Sequence, residues 1–532
     1  MAVEQHRPYF VNTTKDKIAV SEQRWPTQPS DRCEKVLLVE GVRYRVYPYS
    51  AEVWYMLGRM LPGFDAPHPL LARYEWSGPY TPMMHQRRVA VFLAGRRRAY
   101  NLSDIGTGKT LGALWPADWM LKEKMIKRIL ILSPTSTVRS VWASEIFTHF
   151  PHWRYDVMQG VGHAAVKKNL AHWRGLHCII ANHELTRAQN RVWFLNERQL
   201  QPDLVIIDEG SMFRNPDTDK WRGLRGILAE LPYAWVLTGT PTPNSPLDAW
   251  GIAAVMGTHN GVRRMAFRDK VEMRVSEYDW VPRKGADQHV KAILSPSIRF
   301  SKEDCLDLPP LTYETRTVAM TKAQMDAYKE LEHTAVLEAQ NGLTATAVNE
   351  AVKAQKLLQI ACGVLYADSE EVGGDKVEIE IEPTHKLAEL KAIAEEVDGP
   401  LIVFAPFTSV VKYLHKHFPN SRLFYGDIGV NERAMIVQEF QEGKIKILFA
   451  NPRTMSHGLT LTRSSCIVWY APVYSGDTYV QANGRIFRAG QDKPCTVVHL
   501  ASSEIEEHIY DKLKRRQKVQ GTILKALVGA SH

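Results

Sequence analysis

The residues best suited to do chemistry in this chain lie in SDIGTGKTLGAL, residues 103–114. Gly106, Thr107 and Gly108 let backbone N–H groups converge on a phosphate without a Cβ in the way. Lys109 adds a positive charge for β/γ-phosphates, and Thr110 offers a hydroxyl to Mg²⁺ at a helix N-terminus. Ser103 stands where the full G-x-x-x-x-G-K-[ST] pattern has its first glycine. A tight glycine turn opening a helix therefore stays an alternative for the loop taken alone. Pro116, inside the helix that should follow, predicts a kink or an early break.

A second stretch, LVIIDEGS, supplies what such a loop lacks. Its apolar run reads as a buried strand ending in Asp208 and Glu209, which puts two carboxylates at the carboxyl edge of a sheet. Asp208 suits a Mg²⁺ ligand, and Glu209 suits a general base acting on an attacking water. An acidic pair after a strand is often only a solvated turn, but its distance downstream of a phosphate loop favours the catalytic reading.

Parallel strands must hold these groups in place. One group of short apolar runs is ILILS (129–133), CIIA (178–181), LVIID (204–208) and AWVLTG (234–239). A second is LIVFA (401–405), RLFY (422–425), KILFA (446–450), CIVWY (466–470) and TVVHL (496–500). Unbroken rather than alternating apolarity means strands covered on both faces by helices. Two doubly wound α/β lobes are expected, with boundaries at 79–255 and 385–532. Residues 256–384 read as a linker with a helical insertion over 320–362 capped by Thr321, then a hairpin turning at Gly373-Gly374. Residues 1–78 read as a small α+β accessory domain, with a two-stranded unit around Glu40-Gly41 and a helix over AEVWYMLGRML.

Bulk properties agree. The 532 residues are 45% hydrophobic and 23% charged, an ordinary globular balance that suits about three domains. The formal charge of +9 fits a polyanionic partner. The six cysteines are spread singly with no C-x-x-C pair, which reads as neither a zinc site nor a disulfide framework and suits a reducing cytoplasm. No stretch of about 18 apolar residues suggests a membrane span.

Further along, SPTSTVRSVWASE (133–145), ANHELT (181–186), DEGSMFRN (208–215), LTGTPTPNSPLDAWG (237–251), HGLTLT (457–462) and QANGRIFRAGQ (481–491) follow in that order. Together with the two stretches above, the chain resembles superfamily 2 helicase-like ATPases of the Swi/Snf type, which are double-stranded-DNA translocases. The resemblance covers roughly 80–515 and implies two RecA-like lobes closing on ATP and Mg²⁺. It implies that Gln86 reads the adenine edge, although a surface glutamine on a helix is the alternative. Arg485 and Arg488 match the pair that reaches across the cleft to the γ-phosphate. Thr238, Gly239 and Thr240 would couple hydrolysis to lobe movement, and Gly458 and Gln481 would line the opposite wall.

Contacts to the DNA backbone are implied for Ser133, Pro134, Thr135, Asn182 and Thr460, which would hold register without reading sequence. The runs RRR (96–98) and KLKRR (512–516) could add backbone affinity or be solvated faces. Two departures stand out: Ser211 replaces the usual His or Gln, and IRFSKED (298–304) stands where the family has an arginine pair. The expected protein is a compact bacterial or phage-like motor, monomeric, cytoplasmic and nucleoid-associated. It would work on duplex or forked DNA and on DNA structures or protein–DNA complexes. A strand-separating helicase and an ATPase-silent DNA-binding scaffold are the alternatives.

Overall fold

The computed structural model of the chain describes residues 8–13, 16–29, 32–158, 175–187, 201–276, 280–340, 347–367, 377–455 and 459–527. Its first lobe is built on seven parallel strands. In spatial order they are Ser297–Ile298, Arg98–Asn101, Tyr233–Leu237, Leu204–Asp208, Ile129–Ser133, Cys178–Asn182 and Tyr155–Met158. Alternation of side chains along each strand fills two cores at once. Leu130, Leu132, Val205 and Ile207 enter one; Ile129, Ile131, Leu204 and Ile206 enter the other. This double coverage is what the unbroken apolar runs require.

The second lobe repeats the plan with six parallel strands: Leu311–Thr317, Cys495–Ala501, Cys466–Trp469, Leu401–Phe404, Ile447–Ala450 and Ser421–Phe424. In both sheets the chain places its polar motifs where strands end, at the carboxyl edge where open α/β sheets bind ligands. Strand Ser297–Ile298 closes one edge of the first sheet and Leu311–Thr317 one edge of the second. Only residues 299–310 run between them.

The helix after the phosphate loop, Lys109–Lys122, runs through Pro116 without the early break that the proline allowed. Every residue from Leu111 to Met120 is buried. Packing on all sides thus outweighs the roughly 3 kcal/mol that a proline costs inside a helix. Downstream, Lys322–Gln340 and Ala347–Cys362 form the helical insertion. Thr321 caps the first of them, its Oγ1 accepting from Gln324 N at 3.2 Å. Strands Val364–Ala367 and Val377–Glu380 pair antiparallel. The Gly373-Gly374 turn expected between them lies outside the described residues.

At the N-terminal end a four-stranded antiparallel sheet packs on helix Ala51–Met60. Its hairpin turns at Glu40 and Gly41, with φ of 51° and 81°; a two-residue turn matching strand twist needs positive φ at both positions. At the other end, helix Glu504–Leu527 starts on the second lobe, where Ile509, Tyr510 and Leu513 join its core. It finishes on the first, burying Ile523 and Leu524 there.

Candidate nucleotide site at the lobe seam

The phosphate loop leaves strand Arg98–Asn101 and enters helix Lys109–Lys122 with Gly106 at φ 90° and Gly108 at φ 73°. Side chains rarely adopt such angles, so glycine is required at both places. Lys109 Nζ donates to the Ser103 and Asp104 carbonyls, each at 2.9 Å. Burial pushes its pKa down, against the pull of Glu209, Asp208 and Asp104. Thr107 turns inward, its Oγ1 donating to Asp104 O at 2.9 Å. Thr110 follows in the first helical turn. Gln86 is buried rather than a surface residue: its Nε2 donates to Gly108 O at 3.4 Å and its Oε1 accepts from Met83 N at 2.9 Å.

Asp208 and Glu209 lie at the end of strand Leu204–Asp208 as the sequence implies. Asp208 Oδ2 accepts from Trp142 Nε1 at 2.8 Å and from Ser133 Oγ at 3.2 Å. Glu209 takes a left-handed conformation, φ 49° and ψ 54°, that turns its side chain away from the strand direction. Burial first, then the charges of Asp208 and Asp477, push its pKa up to about 8. Its Oε2 is buried and has no hydrogen-bond partner. A buried carboxylate oxygen left unpaired is costly unless something else occupies the space, so it fits a reacting water.

The second lobe closes on this cluster. A Cβ at Gly106 would lie 3.2 Å from Arg488 Cβ, so the loop and the arginine approach too closely for a side chain at 106. Arg488 Nη1 and Arg485 Nη1 both donate to Leu459 O, at 2.8 and 2.9 Å. Burial, then the neighbouring charge of Arg488, lowers the pKa of Arg485 to about 9, while Glu209 pulls it back up. From the first lobe, Thr238 Oγ1 accepts from Thr240 N at 3.1 Å, and Thr240 Oγ1 donates to Asp477 Oδ1 at 2.6 Å. Gln481 Nε2 donates to the same Asp477 oxygen at 3.1 Å, and Gln481 Oε1 is buried without a partner. Gly239 lies against the phosphate loop, where a Cβ would come within 3.2 Å of Ile105 N. Gly458 lies outside the described residues.

A family model for the SNF2-related domain matches residues 85–363, more than half of the chain, and one for the helicase conserved C-terminal domain matches 385–490. The chain belongs to the SNF2-related family. It is an ATP-hydrolysing DNA translocase of the helicase superfamily. It is similar to putative protein p41 of Acyrthosiphon pisum secondary endosymbiont phage 1, 24% identical over 84% of this chain and 99% of that one. It is also similar to the uncharacterized ATP-dependent helicase YqhH of Bacillus subtilis, 22% identical over 95% of this chain and 90% of that one. Among solved structures, the Sulfolobus solfataricus SWI2/SNF2 ATPase core in complex with dsDNA matches 86% of this chain and 96% of its own, at 21% identity and a TM-score of 0.39.

The SNF2 motor's residues expected on DNA divide into two groups. Thr135 is exposed and accepts from Asn182 Nδ2 at 3.4 Å, so these two meet at the carboxyl edge of the first sheet. Thr460 is half-buried on the second lobe. Ser133 and Pro134, by contrast, are buried, and the Ser133 hydroxyl donates to Asp208 Oδ2 at 3.2 Å. The RRR run is corrected. Arg96 Nη1 donates to Phe92 O at 2.8 Å and Arg98 Nη2 to Leu228 O at 2.6 Å, which leaves Arg97 as the exposed member.

Three site residues of the motor escaped the sequence reading. Trp142 reaches Asp208 from a π-helical turn, Val138–Ala143, and nothing in the pattern signals that extra residue. His85 Nε2 lies 2.8 Å from Thr107 O; its position beside Gln86 was the available clue. Asp477 was legible only as an acidic residue in a first helical turn. Ser211 is buried, with its Oγ unpartnered. Among the described residues no three metal-ligating side chains cluster.

Proposed function

We propose that the two lobes close on ATP and reopen after its hydrolysis, stepping the motor along one strand of duplex or forked DNA. The observation that carries this reading is the close approach of Gly106 to Arg488 across the seam, beside Lys109 and the buried Glu209. Lys109 holds the β/γ-phosphates, Gln86 the adenine edge, and Gly106, Thr107 and Gly108 present backbone N–H groups. Glu209 takes the proton of the attacking water. Arg488, with Arg485 behind it, stabilises the charge that develops on the transferred phosphoryl group, an effect worth about 10³–10⁵ in rate elsewhere. Neither lobe has both halves, so turnover requires closure.

One carboxylate and one hydroxyl beside a phosphate loop fit a hard cation that keeps waters and phosphate oxygens as its other ligands. Asp208 and Thr110 would hold Mg²⁺ there, where it would neutralise phosphate charge. Thr240 and Asp477, with Thr238, Gly239 and Gln481, transmit closure between the lobes, and Gly458 extends the facing wall. Ser133, Pro134, Thr135, Asn182 and Thr460 contact the DNA backbone.

The working unit is a monomer of two lobes with 1–78 an accessory domain; the linker expected over 256–384 lends strand Ser297–Ile298 to the first sheet and Leu311–Thr317 to the second. It is placed on the nucleoid, acting on forks, recombination intermediates or bound proteins. Among the described residues no helix is long and apolar enough to cross a membrane. Steady-state ATP hydrolysis with and without duplex DNA tests the reading, because a scaffold gives no DNA-stimulated turnover. Triplex displacement run beside forked-duplex unwinding separates tracking from strand separation; displacement without unwinding is expected.

A further inference from the structure

The connection between the lobes begins as a strand laid along the root of the phosphate loop. Ser297–Ile298 pairs in parallel with Tyr100 and Asn101. Pairing then continues into the loop itself: Leu102 N donates to Ile298 O at 2.8 Å, and Asp104 N to Phe300 O at 3.0 Å. The Ser103 hydroxyl accepts from Phe300 N at 3.1 Å. The Asp104 carboxylate is held by the same segment, accepting from Arg299 Nη2 at 3.0 Å and from the Lys302 backbone N–H at 3.1 Å.

Lys302 then crosses the seam. Its ammonium donates to the Phe487 carbonyl at 2.6 Å and lies 5.0 Å from the centre of that ring. Phe487 immediately precedes Arg488. A single run of contacts therefore leads from the phosphate loop through Asp104 and Lys302 to the peptide that carries the arginine. None of these groups has a part in the chemistry assigned above.

We infer that Lys302 is a positioning residue for Arg488, a latch that fixes the Phe487 peptide when the lobes close and so aims the guanidinium at the phosphate loop. The inference rests on the role proposed for Arg488. A lysine suits the task, because its compact ammonium on a flexible stem can follow the carbonyl as the lobes approach. Asp104 offsets the burial of that charge. Without the latch the lobes still meet, but the arginine's placement loosens, and about 1 Å of misplacement costs on the order of 10²-fold in rate.

The test measures DNA-stimulated ATP hydrolysis of the full chain for Lys302→Met, Arg488→Ala and the double variant. Lys302→Met is expected to lower kcat about 10- to 100-fold with the KM for ATP within about twofold of the parent. In the Arg488→Ala background it should cost less than about twofold more, since both changes remove one unit. Turnover of Lys302→Met within twofold of the parent, a loss confined to KM, or losses that multiply would each overturn the latch. If Lys302→Met lowers the melting temperature, Lys302→Gln is measured against the same limits. Retained turnover in Arg488→Ala would instead remove the arginine's role, and the latch with it. Lost turnover there with Lys302→Met intact would remove only the latch.

Discussion

The Thr240 hydroxyl in the first lobe donates to the Asp477 carboxylate in the second across 2.6 Å, with both groups buried. Burial raises the pKa of Asp477, and the hydrogen bonds from Thr240 and Gln481 oppose the shift. Asp477→Ala removes the acceptor and leaves two donors unpaired, which costs about 1–3 kcal/mol. The Thr240 share of that penalty falls on the closed state, because only closure brings that donor to Asp477, whereas Gln481 sits on the same helix as Asp477. DNA-stimulated turnover should fall about tenfold, one factor of ten for each 1.4 kcal/mol, with ATP affinity nearly unchanged. Unchanged turnover would show that this bond does not couple the lobes.

Lys109 and Arg488 approach the same phosphate loop from opposite lobes, and their loss should read differently. Lys109→Ala removes the loop's positive charge and is expected to abolish hydrolysis and weaken ATP binding together. Arg488→Ala acts only after closure, so equilibrium binding of a fluorescent ATP analogue should survive while turnover falls by about 10³ or more. If Arg488→Ala retained near-normal turnover, its action across the cleft would be wrong.

Much of this arrangement was legible because phosphate chemistry constrains sequence tightly. Gly106, Lys109 and Asp208 could be placed from their types and spacing, and the strands beneath them from unbroken apolar runs. What escaped notice lacked such a signature. Strand Arg98–Asn101, just ahead of the loop, begins in a basic run that reads as surface. Leu311–Thr317 is an edge strand with mostly exposed side chains, so no apolar run marks it, and its pairing with Cys495–Ala501 depends on tertiary contact. Pro116 does not end its helix for the converse reason: local propensity lost to packing. Residues such as Trp142 and Asp477 act through partners far away in the chain, which no local pattern reports.

Asp118 shows how much of the first lobe's stability hangs on one buried carboxylate. It accepts from Tyr74 Oη at 2.6 Å, Trp153 Nε1 at 2.7 Å and His152 Nε2 at 2.7 Å, and pairs with Lys122 at 2.9 Å. Burial alone would raise its pKa, but the hydrogen bonds led by Tyr74 and Trp153 outweigh it and hold the carboxyl below its ordinary value. A carboxyl depressed by folding contributes stability above its unfolded pKa and loses it as the pH falls through the folded one. Asp118→Ala strands several buried donors and should cost about 3–5 kcal/mol. Thermal melting at neutral pH should show the loss, and the gap from the parent should narrow in acid.

Glu209 gives the catalytic step a pH dependence of known sign. Its carboxyl is raised from 4.5 to about 8, by burial first and then by Asp208 and Asp477, while Lys109 and Arg485 pull it down. Below that value the group is protonated and cannot accept a proton from water. Since kcat/KM reports the free enzyme, it should rise with pH and level off near 8, falling about tenfold for each unit on the acid side. ATP has an ionisation of its own, so the inflection needs an assignment. Asp477→Asn supplies one: it keeps an acceptor for Thr240 but removes a charge that raises Glu209. The inflection should therefore move to lower pH in that variant. A profile flat between pH 6 and 8, or an inflection unmoved by Asp477→Asn, would take the role of base away from Glu209.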